Sequence, residues 1–188
     1  MNARAVESDL RYVKDLVEKA GQSGFPVSIC LLWALIVPVG FGLVDFAPRT
    51  TGWFWMIAGP LGGILSGLLG RRAGLRIGQM DREEGVRHIL HWGGMLAVIL
   101  LSVALAVLGH VEGPVLGSII LLVVAMGWWT AGVHFDRSFL LPGGFMMAGF
   151  LAVMARMQYA WTCTGVLISV TLLYIAFRKG RRDAAAKA

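Results

Sequence analysis

The stretch that decides the interpretation of this sequence is a run of small and apolar residues, Gly59-Pro60-Leu61-Gly62-Gly63-Ile64-Leu65-Ser66-Gly67-Leu68-Leu69-Gly70. Its small residues recur at four-residue spacing and form two overlapping stripes on a helix, Gly62–Ser66–Gly70 and Gly59–Gly63–Gly67. Small side chains let two helix backbones approach closely inside a membrane. The run therefore predicts a transmembrane helix that packs tightly against another helix.

The composition predicts an integral membrane protein. Of the 188 residues, 57% are hydrophobic and only 15% are charged, and the mean hydropathy is +0.71. Soluble domains are roughly 45–50% apolar. A helix needs about 17–25 apolar residues to cross the hydrocarbon core, and the predicted spans are 25–46, 52–70, 89–109, 114–134, 138–155 and 157–177. We expect an all-α protein with six transmembrane helices in the cell membrane.

The basic residues predict the orientation of these spans. If the spans alternate in direction, every one of the 17 Lys and Arg residues except Arg49 and Arg156 lies on one side of the membrane. The positive-inside rule then places both termini in the cytoplasm. The net charge of +6 is therefore interpreted as a topology signal that also favours anionic lipid headgroups, and not as a nucleic-acid-binding surface.

The chain divides into four regions on this interpretation. Residues 1–24 contain a cytoplasmic amphipathic helix, residues 25–109 a first group of three spans, residues 114–177 a second group, and residues 178–188 a basic cytoplasmic tail. Within the first group, residues 71–88 form a basic cytoplasmic loop. The apolar stripe of the amphipathic helix is expected to lie on the membrane surface or against the cytoplasmic loops.

The second group of spans contains a related small-residue run. Alignment of Pro142 with Pro60 also pairs Gly144 with Gly62, Ala148 with Ser66 and Gly149 with Gly67. Because each half has an odd number of spans, the second half enters the membrane from the opposite side. This predicts a 3+3 inverted-topology repeat, a fold in which a pathway often forms at the repeat interface. The two runs are expected to pack on each other and line that pathway through Pro60, Gly62, Gly63, Ser66, Gly67, Pro142, Gly143, Gly144 and Ala148.

Ionisable side chains are found at the ends of the spans and not in their interiors, so a proton-driven carrier with a midplane carboxylate is poorly supported. The candidates for residues at the mouth of a pathway are Asp45, His134, Asp136 and Arg137, and solvated loop charges are the simpler interpretation of the same residues. The hydroxyls deep enough to line a path are Ser66, Ser102, Thr130, Thr164, Ser169 and Thr171, although such hydroxyls also bond to carbonyls of their own helix.

Three histidines near the cytoplasmic ends of the third and fourth spans are the candidate metal ligands. His88 and His91 share a helical face, and His134 ends the next span. Two imidazoles from one helix and a third from its neighbour would suit a metal ion or haem. No HExxH or cysteine motif accompanies them. The favoured interpretation is that these are interfacial histidines that bond at helix ends, with no cofactor required.

These features favour a small channel or facilitator-type transporter for a small solute or ion, with its pathway at the repeat interface. Two alternatives stay open: a non-catalytic membrane scaffold or accessory subunit, which includes a homo-oligomer, and a metal- or haem-binding membrane protein that uses the interfacial histidines. An enzyme is not expected, because the sequence contains no nucleophile with a base, no phosphate loop and no paired catalytic carboxylates. The sequence identifies no solute.

Overall fold

The structure is a computed structural model that describes residues 26–77 and 82–185. Within these ranges the chain forms α1 (Val27–Phe46), α2 (Pro48–Ile77), α3 (Arg82–Val107), α4 (Gly113–His134), a 3-10 turn (Arg137–Phe139), α5 (Leu140–Met154) and α6 (Ala160–Ala185). Six helical segments are long and apolar enough to span a membrane. The prediction of an all-α protein with six such helices is confirmed. The predicted amphipathic helix in residues 1–24 lies outside the described residues.

The helices are longer on the predicted cytoplasmic side than hydropathy indicated. Most of the predicted loop over 71–88 is helical, because α2 continues to Ile77 and α3 begins at Arg82. Arginine and glutamate are good helix formers, so a helix can continue past the point at which its sequence ceases to be apolar. At the opposite end, Ala47 alone joins α1 to α2. Pro48 begins α2 at a position where its missing N–H would have had no partner within the helix.

Each helix packs against the next one in sequence, and α6 also packs against α1. The exception is α2 and α3, which are not in extensive contact. Successive contacts therefore follow the order α2, α1, α6, α5, α4, α3. The two helices with the Pro-Gly runs, α2 and α5, are not in extensive contact either. The expectation that these runs pack on each other is wrong, because α2 packs on α1 whereas α5 packs on α4 and α6.

The pair formed by α1 and α6 is central to this arrangement. The two helices run antiparallel, with Phe41 packed on Gly165 and Ala34 opposite Ser169. A Cβ at position 165 would lie 2.7 Å from the Cβ of Phe41, so glycine is needed for this approach. The Ser169 hydroxyl donates a hydrogen bond of 2.6 Å to the Ala34 carbonyl. This bond connects the first and last helices of the described chain.

The buried core is apolar and belongs to four of the six helices. Its members are Cys30, Ala34 and Val37 of α1, Leu121, Ala125, Trp128 and Ala131 of α4, Phe139 and Met146 at and within α5, and Ile168, Leu172, Ile175 and Ala176 of α6. None of these buried residues in the described chain belongs to α2 or α3. In the most apolar part of α2 and of α3 only 6% of residues are buried, compared with 44% in α6. The outer helices α2 and α3 therefore lie at the periphery of the core.

Replacement of Gly143 should destabilise the fold. A Cβ at this position would lie 2.7 Å from the Trp129 backbone nitrogen and 3.2 Å from the Ala125 carbonyl oxygen, so α4 and α5 would have to separate. We expect Gly143→Ala to lower the free energy of unfolding by about 1–3 kcal/mol, as overpacking does in closely packed cores. Thermal unfolding in detergent measures this change.

Gly42→Ala is the matched control, because nothing lies within 4 Å of a Cβ at position 42. Alanine is also the better helix former, so this variant should unfold at or above the wild-type temperature. Equal melting of Gly143→Ala and wild type would contradict the close contact between α4 and α5.

Candidate functional site

The first stripe of the small-residue run forms the contact between α2 and α1. The Trp33 indole Nε1 donates a hydrogen bond of 3.0 Å to the Ser66 hydroxyl. Gly62 is buried, and a Cβ there would lie 3.0 Å from the Trp33 ring. Gly70 lies beside Ile29 in the same interface. The prediction that this stripe packs against a helix is confirmed, and the partner is α1.

The second stripe faces away from the other described helices. A Cβ at Gly59, Gly63 or Gly67 would have no neighbour within 4 Å, and Pro60 is exposed. Gly93 and Gly94 of α3 are equally open. We refer to the exposed surface around Gly59, Gly63 and Gly67 as the open glycine face of α2.

The corresponding run on α5 packs mainly on α4 and α6. Pro142 and Gly143 are buried, and Gly143 contacts the backbone at Trp129. A Cβ at Gly144 would lie 3.7 Å from the Trp129 ring, whereas Ala148 is exposed. This run therefore contributes to packing within the bundle and is not in extensive contact with the run on α2.

The predicted mouth residues do not form one group. Asp45 lies at the end of α1 beside the beginning of α6, where its carboxylate accepts hydrogen bonds from the Thr162 backbone N–H at 2.8 Å and the Thr162 hydroxyl at 2.6 Å. It thereby satisfies a free N–H group at the positive end of α6. His134, Asp136 and Arg137 lie at the opposite end of the bundle. There Asp136 accepts a hydrogen bond of 2.9 Å from the Ser138 N–H and caps the 3-10 turn.

The hydroxyls considered for a path are engaged in hydrogen bonds within the protein. Four of them donate to carbonyls of their own helices, namely Ser102, Thr130, Thr164 and Thr171. Ser169 donates to α1, and Ser66 accepts from Trp33. Their bonds stabilise helices and helix pairs, and each donated proton already has an acceptor.

Two of the three candidate histidines, His88 and His91, contact the same aromatic ring, that of Phe135. The His88 ring stacks on Phe135, with ring centroids 4.1 Å apart. His91 Nε2 lies 2.9 Å from the Gly127 carbonyl oxygen, while His134 is exposed at the end of α4. Among the described residues, no group of three His, Cys, Asp or Glu side chains is placed to hold a metal ion. The geometry therefore gives no support to the predicted set of His88, His91 and His134.

His91 lies within the predicted third span, which begins at residue 89, whereas His88 immediately precedes that span. The apolar part of α3 runs from Gly85 to Val107, which includes both residues. An ionisable side chain inside a membrane span is costly unless it is bonded, and it is a candidate for function. His91 meets this condition through its contact with α4.

A groove between α3 and α4 surrounds this histidine. Its volume is about 230 Å³, and its lining residues are His91, Gly94, Met95, Val98, Val123, Met126, Gly127 and Thr130. Its lining combines one histidine and two methionines with Thr130 and four small or apolar residues. Sequence analysis missed this combination, although the one-turn spacing of His91 and Met95 was a signal that they share a helix face.

These observations identify the class of the protein as a multi-pass helical membrane protein, with an apolar core of four helices and two exposed peripheral helices. No known protein family, curated protein or solved structure matches the chain.

Removal of the Asp45 carboxylate should weaken the junction between α1 and α6. Asp45→Ala removes both Thr162 hydrogen bonds and leaves an N–H of α6 without its partner. We expect unfolding to become easier by about 1–3 kcal/mol, as for loss of hydrogen bonds to a charged group. Thermal unfolding in detergent is the measurement.

Glu112→Ala provides the acidic control for Asp45→Ala. Glu112 precedes α4, and its side chain makes no capping hydrogen bond. The control should therefore melt like the wild type. A wild-type melting temperature for Asp45→Ala would show that the capping interaction contributes little.

Proposed function

We propose that this protein is a non-catalytic membrane scaffold or accessory subunit that forms a homo-oligomer through the exposed faces of α2 and α3. The single observation behind the proposal is the open glycine face of α2, on which Gly59, Gly63 and Gly67 have nothing within 4 Å of a Cβ position. A partner helix on this face would use the same close packing that holds the bundle together.

The placement of glycine elsewhere in the spans supports this proposal. Many of the other glycines lie where a side chain would collide with a neighbouring helix, as at Gly127, Gly132, Gly143, Gly149 and Gly165. Glycine in a helix interior costs up to about 1 kcal/mol relative to alanine, so its presence is explained at those contacts. The glycines of the open face have the same cost without a contact inside the chain. A second chain would supply the contact that accounts for them.

The exposure of α2 and α3 also supports assembly through these two helices. These helices contribute little to the core, and their lipid-facing surfaces are long enough to receive another helix. Association in lipid depends on van der Waals packing, for which small residues at four-residue spacing are favourable. Because α2 carries a continuous stripe of this kind, two copies of α2 can pack through the same surface.

The channel or facilitator hypothesis stays a prediction. Its expected lining hydroxyls bond within the protein, and its two Pro-Gly helices lie on different neighbours. The inverted repeat has partial support, since the pairs α1–α2 and α1–α6 have counterparts in α4–α5 and α4–α3. The pair α5–α6 has no extensive counterpart in α2–α3. We therefore propose the 3+3 inverted repeat only as a relation between the two halves of the chain. It is not used as evidence for a pathway.

We further propose that both termini face the cytoplasm of the cell. The exposed basic residues Arg71 and Arg72 of α2 and Arg178 of α6 lie toward the same end of the bundle, where they would meet anionic headgroups. A reporter fused after residue 188 should be active as green fluorescent protein and inactive as alkaline phosphatase in a bacterial host. Strong phosphatase activity of this fusion would reverse the proposed orientation.

Gly63→Leu tests the proposed assembly. Since a side chain at position 63 would meet nothing within the chain, we expect the variant to fold and melt like the wild type. The leucine would prevent close approach of a second α2 and should lower the association constant by roughly tenfold, equivalent to about 1.4 kcal/mol of lost packing, so the oligomeric fraction should fall. Single-molecule photobleaching in lipid bilayers measures this fraction.

Gly42→Leu is the matched control, because Gly42 of α1 also has nothing within 4 Å of a Cβ position but lies outside the α2 face. It should leave the oligomeric fraction unchanged. A monomeric wild-type protein, or equal assembly of Gly63→Leu and wild type, would contradict the proposal.

A further inference from the structure

We infer that the groove between α3 and α4 is a site for a soft monovalent metal ion, Cu(I), with His91, Met95 and Met126 as its ligands. This site is separate from the open glycine face and does not depend on the proposed assembly. It also differs from the three-histidine set considered from the sequence, since it uses one imidazole and two thioethers.

Two of these side chains, His91 and Met95, contact Gly127 of α4, and Met126 lines the same groove. Met95 lies one helical turn after His91 on α3, and both line the groove. The Met95 sulfur packs so closely on Gly127 that a Cβ there would lie 2.5 Å from it. Met126 precedes Gly127 and lines the same groove from the opposite helix. The absence of a side chain at Gly127 thus brings the α3 sulfur next to the α4 wall.

The hydrogen bond of His91 determines which ring nitrogen can bind a metal. A carbonyl oxygen is only an acceptor, so the 2.9 Å contact with Gly127 requires a proton on Nε2. In the neutral imidazole, Nδ1 then carries the free lone pair. Metal-binding histidines commonly donate their other N–H to a carbonyl in this way, which orients the ring. Edge contacts with Trp92 and Phe135 further restrict its rotation.

The chemistry of the ligands favours Cu(I). Thioethers are soft ligands that select Cu(I), and imidazole also binds copper, whereas Mg²⁺ and Ca²⁺ prefer oxygen ligands. No carboxylate is among the residues that line the groove. Thioethers carry no ionisable proton, and a neutral imidazole binds through its free lone pair, so the bound ion adds only its own single charge. Gly127 lies about 10 Å from the end of α4 by helix rise, which gives the site a short route to the aqueous side.

Anaerobic titration of the purified full-length protein with Cu(I), in competition with a chromogenic Cu(I) chelator, tests this site. All samples carry Cys163→Ala, because Cys163 is an exposed thiol that would bind Cu(I) itself. We expect about one Cu(I) per chain, with X-ray absorption spectra that contain both sulfur and imidazole nitrogen scattering. Zn(II) should not be retained under the same conditions.

The Met95→Leu, Met126→Leu double variant removes both thioethers with little change in side-chain volume, so it should keep the fold. Its Cu(I) affinity should fall by roughly tenfold or more, while its melting temperature without metal stays at the wild-type value. The control double variant, Met154→Leu, Met157→Leu, replaces two exposed methionines outside the groove and should bind like the wild type.

Failure of the wild type to retain Cu(I) against the chelator would overturn the inference. Equal affinity of the wild type and the Met95→Leu, Met126→Leu variant would overturn it as well. Neither result bears on assembly through α2, because the oligomeric fraction is measured without metal and at a different surface.

Discussion

Helices that are already inserted in hydrocarbon gain no hydrophobic free energy when they associate, so close van der Waals packing must hold them together. In this protein several close approaches between helices are made at glycine. Gly143 lies against the α4 backbone at Trp129, Gly132 lies against Leu140, and Gly165 receives Phe41. These contacts join α4 to α5 and α6 to α1. The positions of a few glycines therefore determine which helices are neighbours.

Hydrogen bonds between helices complete this packing at positions where a polar group would otherwise be unsatisfied. Asp45 joins α1 to the beginning of α6, and Ser169 joins the same two helices further along. Trp33 bonds to Ser66 between α1 and α2, and His91 bonds to Gly127 between α3 and α4. Each of these interhelical bonds is partly buried and lies between two helices that pack on each other. The polar residues thus reinforce the pairs that glycine makes possible.

The resulting bundle has two kinds of helix surface. The buried faces of α1, α4, α5 and α6 enclose large side chains such as Phe139, Ile168 and Leu172, each 1% exposed or less. On α2 and α3 the apolar residues are mostly exposed, and several glycines, among them Gly63, Gly67 and Gly93, lie beside open space. This difference connects the fold to the two proposals. The open face of α2 offers a surface to another chain, whereas the α3–α4 groove offers soft ligands to a metal ion.

Hydropathy was sufficient to predict the six spans, because a long apolar helix is detectable without knowledge of its neighbours. It did not predict the ends of α2 and α3, since arginine-rich segments remain helical after they leave the apolar region. The pattern also predicted two glycine stripes on α2 but not which one meets α1. That choice depends on where Trp33 lies in space. Local sequence cannot provide that information.

The interactions at the candidate sites were less predictable for the same reason. Asp45 and Thr162 are 117 positions apart in the chain, and neither residue type has a periodic signal that relates them. The partner of His91 is the backbone carbonyl of Gly127, a group that every residue possesses. Only the arrangement of α3 against α4 distinguishes this carbonyl from the others. The three-histidine hypothesis used side-chain type and spacing along the helix, and neither criterion identifies a backbone carbonyl as the partner.

A density map of the full-length protein in lipid nanodiscs is the most direct test of the central claim that glycine faces determine helix contacts, within the chain and between chains. The account predicts protein helix density against Gly59, Gly63 and Gly67, around a dry core of α1, α4, α5 and α6. A monomer with ordered acyl chains along that face, or a core opened by a continuous water-filled path, would contradict it.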